Sequence, residues 1–211
     1  MLSAKAHKEA LRRIDHLLQC ATIGLHLTKP FRVVLAGAPN VGKSSLINAL
    51  LGYGRSIVFN EPGTTRDVVS ALTALDGWPV ELSDTAGIRE TSDILEAAGV
   101  ERTSRQLAAA DLIVWVTDAS AGTSPALPAV TATPALIVRN KIDLLPSPPG
   151  DSQTLCVSAT TGTGMEALKA SIVSRLVCNP PAPGEPIPFT ASQIAMLQRW
   201  REQAVENGGG R

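Results

Sequence analysis

An apolar run, Phe31-Arg32-Val33-Val34-Leu35-Ala36, leads straight into Gly37-Ala38-Pro39-Asn40-Val41-Gly42-Lys43-Ser44, and a helix-forming stretch, Ser45-Leu46-Ile47-Asn48-Ala49-Leu50-Leu51, follows. Strand, loop and helix start are the context that a G-x-x-x-x-G-K-[ST] pattern requires. Gly37 and Gly42 let the backbone curl so that the N–H groups of Asn40, Val41, Gly42, Lys43, Ser44 and Ser45 turn inward, and the new helix adds the positive end of its dipole. Such a loop cradles phosphates. Lys43 then reaches the outer phosphates, and the Ser44 hydroxyl supplies a ligand for Mg2+.

From residue 31 onward, strand and helix patterns alternate. Strands are expected at 31–36, 68–75, 79–84, 112–117, 135–139 and 154–158, and helices at 43–51, 93–109 and 164–177. This alternation predicts an α/β fold: an open, mostly parallel sheet with helices on both faces. Asp76-Gly77-Trp78 between two strand patterns signals a hairpin, hence one antiparallel edge strand. Pro125, Pro128 and Pro134 make the crossover between Asp118 and Ala135 short or irregular.

Short helices are expected to flank this domain. Residues 4–27 space Leu11, Ile14, Leu18, Ala21 and Leu25 along one face, and that face needs a partner surface, in this chain or in a second one. Five prolines within 179–188 read as a stiff linker, and Thr190-Ala-Ser-Gln193 opens a last helix, 191–206, as a capping box. The expected organisation is an N-terminal helix over 1–30, a nucleotide domain over 31–178, a linker over 179–189, a helix over 190–207 and a disordered tail over 208–211.

Nineteen basic and nineteen acidic residues cancel, so no global field draws the chain to nucleic acid or membrane. Three Trp, one Tyr and three Phe offer no stacking platform for single-stranded RNA. No stretch approaches the roughly 18 apolar residues of a membrane span. Cys20, Cys156 and Cys178 are scattered and odd in number, which suits reduced thiols in a cytoplasmic protein.

Four further stretches identify the nucleotide. Asn140-Lys141-Ile142-Asp143 follows a strand, and the Asp143 carboxylate can accept two N–H bonds from guanine that adenine does not offer. Ser158-Ala159, after the next strand, fits a second loop in which a backbone N–H meets the guanine carbonyl. Asp84-Thr85-Ala86-Gly87 matches a D-x-x-G switch, with Asp84 holding magnesium through water and the Gly87 N–H sensing the γ-phosphate. Gly63-Thr64-Thr65-Arg66-Asp67 is a polar loop with a threonine to complete the metal shell; Thr65 is the first choice and Thr64 the second. GTP is therefore the expected substrate, GDP the product and Mg2+ the cofactor.

In this order the motifs resemble the Era- and Der-like translation-factor-related GTPases, and more closely the G domain of the MnmE (TrmE) tRNA-modification GTPases. The carriers of the closer resemblance are Gly37–Ser44, Gly63–Asp67, Asp84-Thr-Ala-Gly-Ile-Arg-Glu-Thr with Glu96, and Gly99-Val100-Glu101-Arg102. The resemblance spans roughly residues 10 to 178 and implies a P-loop GTPase fold. It implies that Asn40 and the loop at 59–64 hold a K+ ion, and that two G domains pair face to face in a GTP-dependent homodimer. Ile88 stands where Ras-like proteins carry glutamine and cannot orient water, so the resemblance assigns that role to Glu96, with potassium in place of an arginine finger. The family's folate-binding domain has no counterpart in the sequence, and Cys178-Asn-Pro-Pro is unlike its C-terminal Cys-x-Gly-Lys.

The reading is thus a magnesium-dependent, potassium-stimulated GTPase with Lys43, Thr65 and Glu96 as catalytic residues. A second reading is a GTP-gated interaction module with little turnover, docking a protein partner on its terminal helices. A third is an Era- or Der-like ribosome-assembly GTPase. A role for tRNA stays open.

Overall fold

The near-continuous apolar runs of the sequence form the innermost strands of a six-stranded sheet in the computed structural model, which describes residues 4–53, 70–85, 104–121, 133–147 and 154–208. Two compact units result, Pro30–Leu176 and, separately, Met1–Lys29 with Val177–Arg211.

In the larger unit the strands are β1 (Phe31–Ala36), β2 (Ser70–Leu75), β3 (Trp78–Asp84), β4 (Leu112–Asp118), β5 (Ala135–Asn140) and β6 (Leu155–Cys156), in the order β2-β3-β1-β4-β5-β6. All neighbours run parallel except β2 and β3. The expected α/β sheet with one antiparallel edge strand is what forms. Val33, Val34 and Leu35 on β1 are all buried, as are Ile113 and Val114 on β4, so both faces of the centre are covered. Helices α2 (Lys43–Tyr53) and α3 (Met165–Leu176) touch each other and cover β1, β3 and β4, burying Leu46, Leu50, Leu168 and Ile172 completely.

The edge hairpin closes on two residues, Asp76 (φ 48°) and Gly77 (φ 85°), with Leu75 opposite Trp78. Positive φ at both central positions gives the turn the twist of its strands. Trp78 therefore already belongs to β3, where its ring meets Phe31 edge-on at 6.2 Å. Lys169 Nζ on α3 lies 3.1 Å from Asp76 Oδ1 and ties that turn to the helix.

Several expected bounds shift. Helix α2 continues past 51 through Gly52 to Tyr53. The last strand, expected over 154–158, pairs only at Leu155–Cys156. Val157 N still donates to Arg139 O (2.8 Å), but Val157 O accepts from Ile142 N (3.3 Å), where β5 has ended and the chain has turned. Of the helix expected over 93–109, residues 104–109 are described and helical. Its first part, residues 122–132 of the crossover expected to be short or irregular, and residues 148–153 lie outside the described residues.

The smaller unit packs α1 (Ala4–Leu25) against the last helix, α4 (Ala191–Gly208), around Cys20, Ala21 and Leu197. The amphipathic N-terminal helix thus has a partner within the chain. Arg201 Nε donates to Asp15 Oδ1 at 2.6 Å. The capping box forms: Gln193 N donates to Thr190 Oγ1 (3.3 Å) and Thr190 N to Gln193 Oε1 (3.2 Å). Helix α4 runs two residues beyond the expected 206, through Gly208. In the linker, Ala182-Pro-Gly-Glu185 is a tight turn with Gly184 at φ 84°, and Glu185 bonds His16.

The linker lies directly on α1 at Gly24, where a Cβ would stand 2.0 Å from the Pro188 carbonyl oxygen. Gly-to-Ala inside a helix ordinarily stabilises by about 0.5–1 kcal/mol. Here Gly24→Ala must push backbone aside, and we expect the thermal midpoint to fall by a few degrees, at a cost of roughly 1–3 kcal/mol. A calorimetric scan showing a rise would refute the close approach.

Candidate functional site

The site gathers at the carboxyl ends of the central strands. The chain leaves β1 towards β3 on one side, while β4 continues to β5 on the other. Open α/β sheets bind ligands at this reversal, between the ends of the two neighbouring strands. The loop 37–42 lies there because it crosses β4 closely: a Cβ on Gly37 (φ 146°) would stand 2.2 Å from the Val116 carbonyl oxygen. Asn40 takes a left-handed turn at φ 62°, and its exposed side chain makes no hydrogen bond among the described residues. Gly42 (φ 92°) hands the chain to α2, whose Leu46 N donates to Gly42 O at 3.0 Å.

Lys43 folds back into this loop. It is buried, and its Nζ donates to the carbonyls of Ala38 (2.9 Å) and Gly37 (3.2 Å). The ammonium is thereby held inside the loop by two of its carbonyls. Ser44 Oγ donates to Asp84 Oδ2 at 2.6 Å, bringing the start of α2 to the end of β3. Thr85, one residue on, is fixed by N and Oγ1 bonds to Leu35 O (3.2 and 3.3 Å). A serine hydroxyl and a carboxylate brought together beside a phosphate loop fit Mg2+, a hard ion that takes few protein oxygens and completes its shell from water and substrate phosphate. Among the described residues, no group of three or more His, Cys, Asp and Glu is gathered.

The Asn140-Lys141-Ile142-Asp143 motif sits at the end of β5. Asn140 is 1% exposed, and both ends of its amide are engaged: Nδ2 donates to Val41 O (2.9 Å), and Oδ1 accepts from Ala159 N (3.2 Å). It braces the loop at Val41 against the loop at Ala159. Gly42 makes room for it, since a Cβ there would stand 2.3 Å from Asn140 Nδ2. Lys141 is left-handed (φ 66°, ψ 35°) and starts the single turn Ile142–Leu144 that carries Asp143. Asp143 is exposed and without a hydrogen bond among the described residues. In the second loop Ser158 is fully buried, its Oγ accepting from Thr161 N at 3.1 Å, and Gly162 and Gly164 supply positive φ.

Asn40, Val41, Gly42, Lys43, Ser44, Ser45, Asp84, Asn140, Lys141, Asp143, Ser158 and Ala159 therefore lie at or just beyond the carboxyl ends of four strands, β1, β3, β5 and β6, along one edge of the sheet. Thr64, Thr65, Gly87, Ile88 and Glu96 lie outside the described residues. One residue bonded to this motif was not singled out in the sequence. Asp118, the last residue of β4, accepts from Lys141 Nζ (2.7 Å), from Ser120 N (2.9 Å) and from Ser120 Oγ (2.6 Å). Burial raises its carboxyl, and the bonds from Lys141 and Ser120 outweigh that and bring it down to about 2. Its signal was an acid closing an otherwise apolar strand beside Ser120.

Residues 32–141, just over half the chain, match the family model described as 50S ribosome-binding GTPase. The tRNA modification GTPase MnmE of Akkermansia muciniphila is 45% identical over 167 residues, covering 76% of this chain and 36% of that protein. MnmE of Thermus thermophilus is 41% identical over 199 residues, covering 94% of this chain and 45% of that protein. The chain thus spans less than half the length of these relatives. Among solved structures, an Era variant of Aquifex aeolicus bound to GDP and aluminium fluoride superposes with a TM-score of 0.53 at 30% identity, over 75% of this chain and 59% of that one.

Proposed function

The chain belongs to the family of 50S ribosome-binding GTPases, and on that premise we propose that it is a MnmE-like molecular switch that binds GTP with Mg2+ and hydrolyses it to GDP and phosphate. Membership of a GTPase family implies GTP hydrolase activity. The observation that best supports the assignment of residues is the Asn140 brace, which joins a guanine-reading turn to a phosphate loop across 99 residues of sequence.

In this reading the loop N–H groups and Lys43 hold the β- and γ-phosphates. Asp143 accepts the two N–H bonds of guanine, and a backbone N–H of the Ser158-Ala159 loop meets its carbonyl. Ser44, Asp84 and Thr65 hold the magnesium ion, which when bound neutralises phosphate charge. Glu96 orients a water for in-line attack on the γ-phosphorus; the bond to the β–γ bridging oxygen breaks, and the water's proton leaves with the products. Asn40 is read as a ligand for K+, supported by its exposed, unengaged amide beside the phosphates. GTP-dependent pairing of two G domains, and any action on tRNA, follow from the likeness to MnmE alone.

Three free cysteines support action in the reducing cytoplasm, and no helix among the described residues is long and apolar enough to cross a membrane. The alternative of a GTP-gated module rests on the exposed Phe189, Met196 and Trp200 of the smaller unit, which leave apolar surface for a protein partner.

Turnover of GTP measured in potassium and in sodium at equal ionic strength tests the proposal. We expect potassium to accelerate hydrolysis, and Glu96→Ala to slow it by about 10²-fold or more. No turnover in potassium, or unchanged turnover in the variant, sinks the catalytic assignment. Dimerisation with GTP but without turnover favours the module.

A further inference from the structure

We propose that Asp118 is a positioning residue for guanine recognition: it anchors Lys141 and, through it, the turn that carries Asp143. The inference rests on the reading that this site takes a guanine nucleotide, and it goes beyond the motifs that define that site.

The geometry leaves the Asp118 carboxylate one orientation. Oδ1 accepts both the N–H (2.9 Å) and the hydroxyl (2.6 Å) of Ser120, so Oδ2 is turned towards Lys141 Nζ at 2.7 Å. The backbone adds to this, because Asp118 pairs with Asn140 in register and Ala119 N donates to Asn140 O at 2.8 Å. The fork of Asp118 is therefore rigidly placed relative to the end of β5.

Lys141 needs such an anchor. A residue other than glycine with φ 66° and ψ 35° is in a sparsely populated conformation that the surroundings must enforce. The left-handed Lys141 starts the turn Ile142–Leu144, and its carbonyl accepts from Leu144 N at 3.1 Å. Its stem passes the phosphate loop, with Cε 4.0 Å from where a Gly42 Cβ would stand. Only then does Nζ reach Asp118. Side-chain exposures of 30% for Lys141 and 18% for Asp118 shield the pair more than an open surface pair. Asp143 is two residues along and has no other hold among the described residues, so the direction of its carboxylate depends on the backbone Lys141 sets.

A purely structural role, closing the Ser120 turn at the end of β4, makes different predictions. Asp118→Asn keeps an oxygen for Ser120 but turns an amide N–H₂ towards the Lys141 ammonium. Ser120→Ala removes the hydroxyl bond and leaves the ion pair. Fluorescent GDP and the inosine analogue IDP, which lacks the exocyclic amine, serve as probes. The wild type must bind GDP; if it does not, the nucleotide reading fails and the inference with it. Given binding, Asp118→Asn is expected to weaken GDP about tenfold, to shrink the preference for GDP over IDP several-fold, and to do so at saturating protein fold. Lys141→Met should weaken GDP comparably, and the double variant no more than the weaker single one. Ser120→Ala should stay within about twofold of wild type. Unchanged GDP affinity in Asp118→Asn, equal losses of GDP and IDP, additive losses in the double variant, or a Ser120→Ala loss equal to that of Asp118→Asn would each overturn the proposal.

Discussion

Replacing Asn140 with alanine is expected to abolish useful nucleotide binding while leaving the sheet intact. Its side chain is buried, and its amide satisfies the Val41 carbonyl and the Ala159 N–H, two groups on different loops. Alanine leaves both unpaired and opens a void between them. A cost of about 2–4 kcal/mol follows from the unmet hydrogen bonds and lost packing. The cost falls on the relative placement of two loops that must close on one ligand. We therefore expect GTP and GDP affinities to drop by about a hundredfold or more, since each 1.4 kcal/mol is tenfold. Asn140→Asp separates the two ends, because an aspartate oxygen still accepts from Ala159 but cannot donate to Val41. That variant should lose phosphate-end contacts more than base contacts. Titration calorimetry with GTP, GDP and guanosine reads both effects, and an affinity within threefold of wild type for Asn140→Ala would falsify the brace.

A second large effect is a change of substrate. Asp143 is exposed, carries no hydrogen bond among the described residues, and stands on the turn that follows Asn140 and Lys141. Guanine presents two N–H donors on its pairing edge, to which a carboxylate is the complement. Asp143→Asn places an amide N–H against one of them, and the expected loss for GTP is about 10³-fold or more. Xanthine has a carbonyl where guanine has its amine, so the same amide regains a partner there. Binding of XTP should rise in Asp143→Asn as GTP binding falls. Parallel losses of GTP and XTP would place the base elsewhere.

The most local features were the most legible. The phosphate loop could be located from Gly37, Gly42 and Lys43 because a strand, a tight loop and a helix start are set by neighbouring residues. The same holds for the Asp76-Gly77 hairpin and the Thr190–Gln193 cap. Features that depend on distant partners were not legible. Strand β6 read as five residues because Thr154 to Ser158 suit a strand, yet pairing ends where β5 turns away at Lys141. Asn140 was placed among the nucleotide-binding residues, but its direction, towards Val41 and Ala159, depends on three elements meeting. Asp118 carries meaning only once Lys141 stands opposite it. The assignments of Thr64, Thr65, Gly87 and Glu96 rest on the sequence alone, since these residues lie outside the described ones.

The brace at Asn140 also bears on how the site comes into being during synthesis. Val41 and Asn140 are 99 residues apart, and Ala159 comes later still. A ribosome adding about 5–20 residues per second makes the phosphate loop many seconds before it makes its support. Until β4 has docked beside β1 and β5 beside β4, the early loop and helix are held by β3 alone and lack the Asn140 bond to Val41. On the proposed function, a guanine nucleotide meets its complete site only once β5 is in place, and from then on it stabilises the folded sheet by mass action.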